Sequence, residues 1–153
     1  MAVYPGHGVG RIEAIEERKI GDQTQAFYVM RILDSNMVIM VPVASSESVG
    51  LRSLIQPREV EKVFQILRQD DIQIPRQPWN QRYRDYMDRI RTGSVFKIAT
   101  VLRDLHVLKE QKPLSFGERK MLDTAKNLLV RELAIANQVE EAAVARDIDK
   151  IFS

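Results

Sequence analysis

The chain contains no cysteine. That excludes a disulfide framework, a thiolate metal site and a cysteine nucleophile, and it fits a reducing compartment. Long apolar runs are missing too. The longest, "MVIMVPVA" at 37–44, falls far short of the ~20 residues a membrane span needs. The opening "MAVYPGHGVG" has no charged n-region followed by an apolar stretch, so no targeting segment is read there. A cytoplasmic protein that does not engage membranes is expected. Histidine is limited to His7 and His106, and neither lies in an HxxxH or HxxE pattern that would suggest a metal. Glycine is sparse, and its densest cluster, "GHGVG", has neither the Lys-Ser/Thr of a P-loop nor the spacing of a dinucleotide fingerprint. Carboxylates come in adjacent pairs, Glu16-Glu17, Asp70-Asp71 and Glu140-Glu141, a pattern of solvated surface. Neither a cofactor nor an enzymatic activity is expected.

What remains is 153 residues, 44% hydrophobic and 29% charged, enough to bury a core in one ordinary domain or two small ones. The net charge of +2 is small, so its distribution carries the information. Residues 1–56 hold five bases and six acids, whereas 76–103 hold seven bases against only Asp85 and Asp88. That basic segment begins with the one tryptophan of the chain, Trp79.

Two halves separate by periodicity, 1–56 and 57–153. The first reads as β-structure: glycine turns in "YPGHGVG", a Gly21-Asp22 turn, and the arms "QAFYVMRIL" and "MVIMVPV" flanking "DSN". A small barrel or strongly twisted sheet is expected. Pro42 cannot donate a ladder hydrogen bond, which places its strand at an edge. On that strand Val38, Met40 and Pro42 share one face, and Met37, Ile39, Val41 and Val43 the other. Both sets are apolar, so one is either covered or exposed as a docking patch.

From Pro57 the period is helical. Helices are expected at about 58–69, 78–92, 95–110, over "RKMLDTAKNLLVRELAIAN" after the start signal "SFGE", and at 140–152, the first ending before the acidic turn "QDDIQIP". Gly93 closes the second, Ser94 caps the third, and Ser115 with Glu118 has capping-box spacing at the head of the fourth. The fold class is therefore α+β, a small β-domain followed by about five helices.

On the second helix Trp79, Tyr83, Tyr86, Met87 and Ile90 form one stripe. Trp79 is thus either a core residue or, being in the first turn, an apolar wedge pointing past the helix end toward nucleic acid. Arg84, Asp88 and Arg91 have salt-bridge spacing. Setting Arg84 and Arg91 aside on that basis leaves Arg76, Arg82, Arg89, Lys97 and Arg103 available for a partner. Arg119 and Lys120 open a helix whose dipole they oppose, so local stability does not explain them.

The segments "VYPGHGVG", "FYVMRIL", "VPV", "VGLRSLI", "WNQRYRDYMDRIRTGS" and "VLRDLHVLKEQKPLSFGERKMLDTAKNLLVREL" together resemble the CarD/CdnL family of bacterial RNA-polymerase-binding transcription regulators. The resemblance spans nearly the whole chain. It implies a Tudor-like or SH3-like β-barrel that docks on the polymerase β subunit, and a helical domain that touches promoter DNA upstream of the −10 region and stabilises the open complex. By position in the family's motifs, Trp79 is the minor-groove wedge, Arg82 and Arg84 contact phosphate, and Arg119 and Lys120 are a basic pair at the same surface. Gln81 departs from the arginine many relatives have there. Met40 and Pro42 match the polymerase-facing strand, Arg18 a position some relatives use for the same contact, and Met30 is named from the partner strand. Relatives usually have about ten residues before "VYPG". A shortened first strand would leave an unpaired edge, so a monomer with scope for strand exchange between chains is the expected state. Two rival readings stand beside this one: a self-contained helix-turn-helix regulator built on the 78–110 helix pair, and a protein-only scaffold with Trp79 buried.

Overall fold

The computed structural model describes residues 1–69, 74 and 77–153. Asp70, Asp71 and Arg76, assigned above to the acidic turn and the basic segment, lie outside them. The chain divides into two compact units, Met1–Leu54 and Ile55–Ser153.

In the first unit, five strands, β1 (Ala2–Tyr4), β2 (Gly8–Ile20), β3 (Gln23–Ile32), β4 (Val38–Pro42) and β5 (Arg52–Ser53), form one antiparallel sheet in the order β4-β3-β2-β1-β5. Gly21 and Asp22 make a two-residue turn between β2 and β3, with Gly21 at φ 63°, a conformation that side chains disfavour. β4 ends the ladder, as Pro42 requires. β1 is paired along both sides, by β2 and β5, so the unpaired edge anticipated at the start does not arise at that strand.

Register decides which residues form the core. Ala2, Met30 and Ile32 are buried, with Tyr4, Ile12, Ile39 and Leu51 packed against them. Gly10 closes this cluster: a Cβ there would lie 2.6 Å from Met30 Cε and 2.8 Å from the Arg31 carbonyl oxygen, so only glycine fits.

The second unit holds α1 (Pro57–Leu67), α2 (Trp79–Arg91), α3 (Val95–Gln111), α4 (Phe116–Asn137) and α5 (Glu141–Phe152). The ends follow the local signals. Pro57 stands at the first turn of α1, Gly93 adopts φ 74° after α2, and the Ser94 hydroxyl accepts the Lys97 N–H. At the head of α4 the capping box is complete: Ser115 Oγ accepts the Glu118 N–H, and Glu118 Oε1 accepts the Ser115 N–H.

α3 packs against α1, α2 and α4, and α4 in turn against α5. Its apolar residues run around most of the helix, which suits a central element. Ala99, Val101, Leu102 and Leu105 are fully enclosed there, as are Val63 of α1 and Leu129 and Leu133 of α4, the helices that pack on α3. Each enclosed leucine or valine contributes about 1.5–3 kcal/mol of transfer free energy, which outweighs any helix propensity term. The buried Glu132 carboxylate accepts the Ile55 N–H at 3.0 Å, fixing the start of this unit against α4.

Candidate functional site

On the sheet, cross-strand partners point to the same side. Met40 is opposite Val29, and Pro42 opposite Phe27. A register shift between Ile12 and Ala14 makes Glu13 an extra residue, so that Val29 faces Ala14, Phe27 faces Glu16 and Gln25 faces Arg18. Simple alternation along β2 would have put Arg18 on the side of Ile12. The bulge moves it to the side of Met40 and Pro42, where its guanidinium is exposed and lies 3.4 Å from Glu16. Three of the residues named from the sequence, Arg18, Met40 and Pro42, therefore share one face. Phe27 and Val29 complete it, and period-two alternation from the paired strand was the signal that could have found them.

Met30 does not belong there. It pairs with Ile39 and Ile12, on the opposite side, and its side chain has no exposed surface. Its assignment to a partner contact is corrected to a core role, because neighbours in a strand alternate faces.

On the helices, the α2 stripe changes character along its length. Ile90 and Tyr86 are buried, Trp79 is half-buried and Tyr83 is 43% exposed. Trp79 has the same angular position as the buried residues but occupies the first residue of the helix. Its indole sits edge-on to Tyr83 with centroids 5.5 Å apart, and against the first turn of α4. A Cβ on Gly117 would be 3.2 Å from Trp79 Cζ2, so the missing side chain is what lets the ring lie there. Trp79 is neither an enclosed core residue nor free in solvent; it is seated against Gly117 and Tyr83 and remains partly exposed.

The arginines divide differently from the sequence expectation. Arg82, 8% exposed, faces inward and its Nη1 lies 3.4 Å from Glu118 Oε2. Direct phosphate contact by Arg82 is therefore corrected: the guanidinium is enclosed and engaged by a carboxylate 36 residues away, which no local pattern reveals. Arg89 shares that inward face and joins Asp85 at 2.7 Å, Asp104 at 3.1 Å and Thr100. Arg103 is held by Asp104 and Gln69. Arg84 and Arg91, set aside as a ladder with Asp88, are exposed and make no ion pair among the described residues.

Arg119 and Lys120 are likewise exposed and without an ion pair among the described residues, near the start of α4, whose first turn has Glu118 as its acidic residue. Burial, the largest influence on Glu118, would raise its carboxyl pKa. The hydrogen bonds from Ser115, with Lys112 and Arg82 nearby, together outweigh it, so the carboxyl stays below its usual range and is charged at neutral pH. Arg119 also lines an open cleft with Lys109, Lys112, Glu110 and Asp123. One residue was overlooked in the sequence: Phe116, 75% exposed, lies three and four positions before Arg119 and Lys120 and so shares their face. That spacing could have found it.

Residues 62–149 match the family model described as CarD, C-terminal domain, and residues 1–55 the one described as CarD-like/TRCF RID domain. The chain is 37% identical over 145 residues to the "Putative transcription factor YdeB" of Bacillus subtilis (strain 168), a match covering 93% of this chain and 92% of that protein. With both units matched in order, and a relative matched over almost its full length, the chain belongs to the CarD family and is a transcription regulator.

Proposed function

We propose that the β-unit binds the β subunit of RNA polymerase through the face carrying Arg18, Phe27, Val29, Met40 and Pro42, and that the helical unit holds promoter DNA just upstream of the −10 region. Trp79 is the wedge at a minor-groove base step, and Arg84, Arg119 and Lys120 contact phosphate. Contacts made only to opened DNA stabilise the open complex over the closed one, since a ligand shifts an equilibrium by its differential affinity for the two states. The observation that carries this reading is the seat of the indole: its edge rests on Gly117, the residue stays partly exposed, and the nearby start of α4 carries Arg119 and Lys120, exposed and without an ion pair among the described residues.

Apolar wedges flanked by phosphate-binding cations are a recurring minor-groove mode and need little base-specific hydrogen bonding. The helix-turn-helix alternative requires α3 to lie in a major groove, and α3 is the most enclosed helix of its unit. The scaffold alternative requires an enclosed Trp79, and this residue is only partly buried.

Trp79→Ala is expected to shorten open-complex lifetime on the order of tenfold, the loss of about one stacked aromatic contact, with polymerase binding intact. A heparin challenge measures it, and an unchanged lifetime refutes the wedge. In a separate experiment, Met40→Ala with Pro42→Ala should reduce co-purification with the β subunit; full retention would remove the assigned face.

A further inference from the structure

The enclosed pair Arg82 and Glu118 is poorly built for stability. Its 3.4 Å separation exceeds the about 2.7–2.9 Å of a good charge-assisted hydrogen bond, and Arg82 Nε is buried with no hydrogen-bond partner among the described residues. Burying charge carries a desolvation cost that only well-made partners recover, so a pair of this kind is weak evidence for stability and better evidence for conformational specificity.

Its place in the fold says what it would specify. Arg82 lies one helical turn after Trp79, and Glu118 immediately follows Gly117, the residue on which the indole rests. Glu118 has two duties at once: Oε1 closes the α4 capping box and Oε2 reaches Arg82. The start of α4, with Phe116, Arg119 and Lys120, is thereby tied to the turn of α2 that presents the ring.

We propose that Arg82 and Glu118 are positioning residues: their bridge sets the pose of Trp79 over Gly117 and holds it in register with the cations of α4, and Arg82 itself touches no DNA. This rests on the wedge reading above. Without the bridge, the first turn of α2 has no ionic tie to α4 among the described residues, and the ring is free to tilt from its seat.

The test uses the full chain with Arg82→Met, Glu118→Gln and the double variant, beside Trp79→Ala and Arg119→Ala. Trp79 is the only tryptophan, so emission of the free protein reports its surroundings directly. Both single variants are expected to shift that emission to the red and to increase its quenching by acrylamide. Both should also shorten open-complex lifetime on the order of tenfold, toward the Trp79→Ala value, with the double variant no worse than either single one. The slope of log affinity against log salt should stay at the wild-type value, whereas Arg119→Ala lowers it by about one.

Loss of about one from the slope in Arg82→Met, with wild-type emission, would overturn the proposal and restore Arg82 as a phosphate contact. So would a wild-type lifetime and wild-type quenching in Glu118→Gln. Glutamine preserves the capping hydrogen bond and the buried shape, so this variant carries the test if Arg82→Met does not fold by circular dichroism. Should Trp79→Ala leave lifetime unchanged, the wedge reading fails, and the quenching data on the free protein still decide whether the bridge positions the ring.

Discussion

Gly117 shows how a single missing methyl group makes a site. Alanine is favoured over glycine within a helix by up to about 1 kcal/mol, yet here a Cβ would press on Trp79 Cζ2 at 3.2 Å. The ring is partly exposed and can yield by the few tenths of an ångström required, so the protein itself tolerates the change. Gly117→Ala is therefore expected to leave the denaturation midpoint equal to or above wild type while shortening open-complex lifetime. Opposed directions in denaturation and heparin-challenge experiments are the signature; a lifetime equal to wild type would show that the seat does not govern the wedge. At the same scale, the contrast between Met30 and Met40 rests on parity alone. Both are methionines on paired strands, but one has Ile39 opposite it and the other Val29.

Among the elements, α3 shows burial controlling a titration. His106 stacks on Phe152 of α5, ring centroids 3.8 Å apart and nearly parallel. Burial pushes its imidazole pKa down to about 4, helped by Lys109 and Lys126 and opposed by Asp149. The unfolded chain, with an ordinary value of 6.5, binds more protons between these limits. Stability is then complete above pH 6.5 and declines as pH falls through that window toward about 4. Replacing His106 by Gln should flatten the acid limb of the denaturant midpoint over this range, and an unaltered limb would assign the acid sensitivity to other groups. The β2–β3 hairpin makes a different point about elements: the extra residue Glu13, not the alternation of side chains, puts Arg18 on the face that carries Met40 and Pro42.

For the molecule as a whole, charge is modest and partly engaged. Of the basic segment, Arg82, Arg89 and Arg103 are held within the helical unit. The isolated protein is accordingly expected to bind promoter duplex no more tightly than the non-specific range of about 10⁻⁴–10⁻⁶ M at physiological salt. Under the proposed function, the polymerase contact would supply the effective concentration that a weak DNA site needs. Anisotropy titration of a labelled duplex with and without polymerase checks this. Tight sequence-specific binding by the protein alone would favour a self-contained DNA-binding regulator and count against tethering.

Local chemistry made much of this legible from the sequence. Proline at the end of β4, glycine after α2, serine before α3 and the Ser115-Glu118 box mark boundaries by forces acting over a few residues, and those are the boundaries found. The sequence also determined that the indole stands in the first turn of a helix, the position from which it can reach past the end. What only the tertiary structure decided is which charges face inward and which residues share a face. Arg82 and Arg84 look alike in sequence, but Glu118 engages the first from 36 residues away and nothing among the described residues engages the second. Packing between distant elements sets desolvation and pairing, and a one-residue bulge reverses the parity of a strand, so neither is written in the spacing of the residues they affect.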